Sequence, residues 1–124
     1  DTMKEIERWE MLGKTTIGEP LNLFFRAVLT KQLTEEIGVK ASAMFHERTQ
    51  QLEDHLTKQE WLVGNSMTAA DVTIASTVFY SMLAPEYIAL APLLQPFGEM
   101  LNLGEGRDKT RSWVSRVIAL DTLP

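Results

Sequence analysis

His46 and His55 are the side chains best suited to hold a metal or move a proton in a chain with two histidines and no cysteine. They stand nine positions apart on one expected helix. A two-histidine grip needs neighbours three or four apart, so both are read as surface or partly buried histidines. The run Gly104-Glu105-Gly106-Arg107-Asp108-Lys109-Thr110 has the composition of a phosphate-binding loop. No strand leads into it and no glycine directly precedes the lysine, so a turn that starts a helix is the better reading. Serine, histidine and aspartate all occur, but none sits in a G-x-S-x-G elbow or another local nucleophile signature. The sequence therefore assigns no catalytic residue, no metal ligand and no cofactor to this chain.

Asp71 is the remaining acid of interest, because a carboxylate opening an apolar helix could serve as a general acid or base. A structural role explains it better. Thr68-Ala69-Ala70-Asp71 has the spacing of a capping box, in which a hydroxyl and a carboxylate three residues later satisfy each other's backbone amides. Met67 and Val72 flank it as a hydrophobic staple. Loss of such a cap costs about 1 kcal/mol. A second signal lies in the charges: no lysine or arginine occurs between Lys58 and Arg107, and then Arg107, Lys109, Arg111 and Arg116 fall within ten positions. That gives the last helix a basic face, with Arg107, Arg111 and Arg116 as the candidate partner contact. The plainer reading is a solvated surface that balances Glu99, Glu105 and Asp108.

The elements that would position these groups are helical. Ile6, Trp9, Leu12, Gly13 and Thr16 recur at spacings of three and four, which predicts an amphipathic first helix over 2–17. Gly18-Glu19-Pro20 should bend or interrupt it before Leu21, Phe24, Phe25, Val28 and Leu29 resume the stripe. Thr34 followed by Glu35 and Glu36 predicts a capped start to a second helix that runs to about Lys58. The segment 72–83 is rich in β-branched and aromatic residues, and by propensity alone it could be a buried strand. The capping box at its start makes it an almost wholly apolar helix in the centre of the domain. Prolines at 85, 92 and 96 cut the connector into short pieces, and a last helix is expected from about Asp108 to Leu120. Its inward residues are Trp113, Val114, Val117, Ile118 and Leu120. The fold class is all-α, a bundle of about five helices with a kinked first helix and a buried, capped central one.

Hydrophobic residues at 44% and charged residues at 23% suit one soluble domain over 1–124 and argue against a disordered chain. A net charge of -5 has the wrong sign for general phosphate attraction, so no direct nucleic-acid binding is expected. The longest apolar run is too short to span a bilayer, so no membrane association and a cytoplasmic location are expected. The start at Asp1 fits a processed or excised segment.

Leu52-x-x-x-Leu56 followed by Trp61-Leu62-Val63-Gly64-Asn65-Ser66-Met67-Thr68-Ala69-Ala70-Asp71-Val72 closely resembles the most recognisable stretch of the C-terminal helical domain of the glutathione transferase superfamily. That stretch pairs a leucine-patterned helix with an L-V-G turn and a T-x-A-D cap on the core helix. The likeness is strong over 52–79 and extends from Trp9 to Trp113. It departs in the long proline-rich connector and in Gly-Glu-Gly, which replaces the family's aromatic-proline start of the last conserved helix. In this family glutathione and its activating Tyr, Ser or Cys belong mainly to a preceding thioredoxin-like domain, of which this chain shows no trace. The resemblance thus implies no glutathione activation by this chain alone, and glutathione as a cofactor only with such a domain upstream.

Two functions follow from the resemblance. The favoured one is a non-catalytic protein–protein interaction and assembly module, as in the gamma subunit of elongation factor complex 1B and in domains associated with aminoacyl-tRNA synthetases. The Leu62-Val63-Gly64-Asn65-Ser66 turn is similar to that of the synthetase-associated members. The alternative is the hydrophobic-substrate half of a transferase, with Trp9, Leu12 and Gly13 lining the electrophile pocket. A protein partner, or a homodimer formed through the first helix, is implied as well.

Overall fold

The computed structural model describes residues 2–83, 85–92, 95–101 and 103–121, whose regular elements are all helices. Among them the order is α1 (Thr2–Leu12), α2 (Gly18–Leu29), α3 (Glu35–Arg48), α4 (Gln50–Lys58), α5 (Ala69–Val78), α6 (Pro85–Leu90), α7 (Gln95–Met100) and α8 (Asp108–Asp121). A π turn, Gly13–Ile17, joins α1 to α2, and only Thr49 separates α3 from α4. Counting each joined pair once leaves six rods among the described residues, in keeping with the expected bundle, and two of them, α6 and α7, are short helices of the connector. Connector position 84 and the side chain of Glu99 lie outside the described part.

The interruption expected at Gly18-Glu19-Pro20 is a widened turn just before those residues. Gly18 donates its amide to the Gly13 carbonyl, five residues back. Pro20 is buried in the first turn of α2 and has no amide to offer the Thr16 carbonyl. Arg48 of α3 supplies the missing donor, reaching the Thr16 carbonyl at 3.0 Å while holding Glu19 at 2.9 Å. The proline is tolerated because a cation from another helix satisfies the acceptor it leaves open.

α3 starts as its sequence predicts, with the Thr34 hydroxyl accepting the Ile37 amide at 3.2 Å. It does not run unbroken to Lys58. At Thr49 the hydroxyl turns back onto the Phe45 and His46 carbonyls, at 2.9 and 3.1 Å, a local bond that competes with regular helix geometry.

The 72–83 segment is a helix as far as Val78, followed by a tighter 3-10 turn over Phe79–Ser81. α5 packs against α1 on one side and α8 on the other, burying Ala70, Ile74, Ala75 and Val78. Where the π turn after α1 meets it, a Cβ on Gly13 would lie 2.8 Å from the Ile74 side chain, so a larger residue would force Ile74 to move. In the connector Phe97 is fully buried and meets Phe24 edge-on with ring centres 4.8 Å apart. This contact anchors α7. In α8, Trp113, Val114 and Val117 are buried and Ile118 is half-buried, whereas Leu120 in the final turn is exposed. No helix among the described residues is long and apolar enough to cross a membrane.

Candidate functional site

Asp71 sits in the first turn of α5 and is wholly buried. Its Oδ2 accepts the Thr68 amide at 2.9 Å, with the Thr68 hydroxyl 3.3 Å away. Its Oδ1 accepts the Leu62 amide at 3.0 Å and the Trp113 indole N–H at 2.8 Å. The capping box is present, and its carboxylate half is the stronger, because the Thr68 hydroxyl is shared with that carboxylate and the Asp71 amide also reaches the Thr68 carbonyl. Met67 and Val72 are half-buried and pack on the core. One side chain therefore ties together the start of α5, the preceding loop and α8. Out of contact with solvent, its two oxygens are occupied by the donors that hold these segments together.

Both histidines are partly buried and pin loops. His46 Nδ1 donates to the Leu103 carbonyl and His55 Nε2 to the Leu62 carbonyl, each at 2.8 Å. A carbonyl only accepts, which fixes the protonated nitrogen on each ring. Gly104 and Gly106 adopt φ of +82° and +77° in the turn that starts α8. A Cβ on Gly104 would stand 2.5 Å from His46 Nδ1, so this glycine is required by conformation and by space.

The basic face needs correction. Arg107 is 3% exposed and is no partner contact. Its Nε donates to Thr49 Oγ1 at 3.1 Å, and its terminal nitrogens donate to the Gly106 and His46 carbonyls. The break between α3 and α4 leaves polar groups that must find partners inside the protein, and Arg107 provides them. Arg111 is part-buried; it donates to the Gly104 carbonyl and lies 3.6 Å from Asp108. Arg116 donates to the Glu60 carbonyl at 2.7 Å and to Ser112 Oγ at 3.1 Å, its guanidinium 5.4 Å from the Trp61 ring centre. Glu53 had no assigned role in the sequence. From α4 it caps α8, accepting the Lys109 and Thr110 amides at 3.1 and 2.9 Å and the Thr110 hydroxyl at 2.9 Å.

Trp9 and Leu12 line an open groove of about 510 Å³ along α1, together with Arg8, Met11, Thr15 and Gln51. Gly13 does not join them, because it is buried against Ile74. Trp9 is 8% exposed, and its indole N–H has no hydrogen-bond partner among the described residues. Met11 is 60% exposed, as is Met3 on the same helix. The helical spacing of Arg8, Leu12 and Thr15 was a usable sign of the groove, but no local pattern could bring Gln51 from α4 beside them.

Comparison with known proteins gives one family. The model described as glutathione S-transferase, C-terminal domain, matches residues 23–121, a span that holds the Leu52–Val72 stretch and all of α8 but not α1. No curated protein and no solved structure matches the chain. With an all-helical architecture and about four-fifths of its length under that match, the chain belongs to the glutathione S-transferase C-terminal domain family.

Proposed function

We propose that the chain is a non-catalytic docking module that receives a protein partner, or a second copy of itself, along α1. The observation that carries this reading is the α1 groove, where Trp9, Met11 and Leu12 form an apolar floor between Arg8 and Gln51. Met3 and Met11, both well exposed, extend the apolar character along the helix. Methionine suits a docking face because its unbranched side chain adapts to the surface it meets. The polar side chains that could have served chemistry are engaged elsewhere: Asp71, Glu53, His46, His55 and Arg107 each hold a turn or a helix end. The likeness of the Leu62–Ser66 turn to synthetase-associated members directs the search for the partner to assemblies of the translation machinery, in the cytoplasm.

Trp9 and Leu12 in the groove also support the second reading, an electrophile site completed by an upstream glutathione-binding domain. Glutathione conjugation by the purified chain is expected under neither reading, because the second places activation in an upstream domain, so association along α1 is the measurement that separates them. Sedimentation across concentration, paired with affinity capture from a translation-competent extract, should show association that Met11→Asp removes without lowering the melting temperature. Identical behaviour of wild type and variant removes α1 as the docking face.

A further inference from the structure

Where the end of α4 meets α8, an open cleft of about 340 Å³ is lined by Thr57, Lys58 and Glu60 from one side and by Lys109, Ser112 and Arg116 from the other. Three cations and one carboxylate therefore share a small space in a chain whose net charge is -5. A long cation-free stretch separates Lys58 from Arg107 in sequence, and the packing of α4 on α8 closes that gap. Among the described residues the ion pairs are Arg48–Glu19 and Arg111–Asp108, so none of the cleft's cations is neutralised by one. Glu53, also on α4, has both carboxylate oxygens taken up by the start of α8.

Arg116 has no countercharge among the described residues. Its terminal nitrogens are fixed by Ser112 Oγ and the Glu60 carbonyl, and the group lies over Trp61, while its Nε is closed off from solvent, which leaves the remaining N–H groups of the terminal nitrogens to serve the cleft. A guanidinium held in place without a countercharge is a preorganised receptor for an oxyanion. Ser112 accepts from Arg116 through its oxygen and keeps its own hydrogen to donate. The Thr57 hydroxyl is turned to the Glu53 carbonyl at 2.7 Å and contributes no donor.

We propose that this cleft binds a tetrahedral oxyanion of the phosphate class, held by Arg116, Lys109 and Lys58 with the Ser112 hydroxyl as a neutral donor. Phosphate suits it better than a carboxylate, because its several acceptor oxygens and charge of nearly two can answer cations from two helices at once. Glu60 opposes the ligand and sets the affinity lower than the cations alone would give. The site is independent of the α1 groove.

Calorimetric titration of the full chain with inorganic phosphate, against sodium chloride at matched ionic strength, tests the proposal. A phosphoserine peptide and its unphosphorylated form run in parallel. Saturable phosphate binding is expected; the double variant Lys58→Gln, Lys109→Gln should weaken it roughly tenfold, and Glu60→Gln should tighten it about threefold. Both lysines are exposed, so the unliganded melting temperature of the double variant should stay put and the loss should report on the site. Tighter binding of the phosphopeptide than of free phosphate, with the unphosphorylated form silent, assigns a protein-borne ligand, and the reverse order assigns the free anion. Either supports the site. No saturable phosphate binding, or binding unchanged in the double variant, overturns it.

Discussion

Asp71→Ala would strand the Leu62 amide and the Trp113 indole N–H inside the protein, besides opening the helix cap. Each buried donor left without an acceptor costs about 1–3 kcal/mol, so the variant should lose about 3–5 kcal/mol of unfolding free energy, well beyond the roughly 1 kcal/mol of a simple cap. Trp113→Phe keeps most of the ring and removes one donor, leaving the carboxylate its other partners, and should cost about 1 kcal/mol. Urea denaturation of the two variants measures the difference. Equal losses would show that the carboxylate is not the shared anchor of α5, its loop and α8.

At the level of elements, the joints are made by side chains from distant parts of the chain. Arg48→Met should destabilise by about 1 kcal/mol, because the Thr16 carbonyl loses its donor. In a Pro20→Ala background the restored amide can serve that carbonyl, so the same change should cost measurably less, and a thermal double-mutant cycle reads the coupling. Additive losses would place the value of Arg48 elsewhere, for example in its Glu19 pair. Glu53→Gln should lower stability by about 1 kcal/mol and speed amide exchange at Lys109 and Thr110, since the start of α8 loses its charged acceptor. Unchanged exchange at those amides would remove Glu53 as the cap. These joints also mark what the sequence could and could not disclose. The Thr34 and Thr68 helix starts were legible because each cap and the amide it serves lie within four residues. The break at Thr49 was not, because Arg107, which stabilises it, lies 58 residues further on. Phe97 was hidden in a proline-rich connector with no periodicity to mark it, and the arginines of α8 looked like a surface because nothing local announced the carbonyls they meet.

For the molecule as a whole, α8 supplies Trp113 to the Asp71 anchor and receives its cap from α4, and Arg107 just before it fills the α3–α4 joint. A chain ending at Gly106 should therefore lose the cooperative thermal transition and fixed aromatic signals of the intact protein, as circular dichroism would show. A sharp melt in that fragment would mean that the first seven helices already form a finished core. The arginine that closes the Thr49 joint has a temporal consequence too. Translation produces Thr49 long before Arg107, so a ribosome paused between them carries a nascent chain whose joint is still hydrated. Resistance to a protease added to such paused complexes should arrive late and in a single step, once the arginine has cleared the exit tunnel.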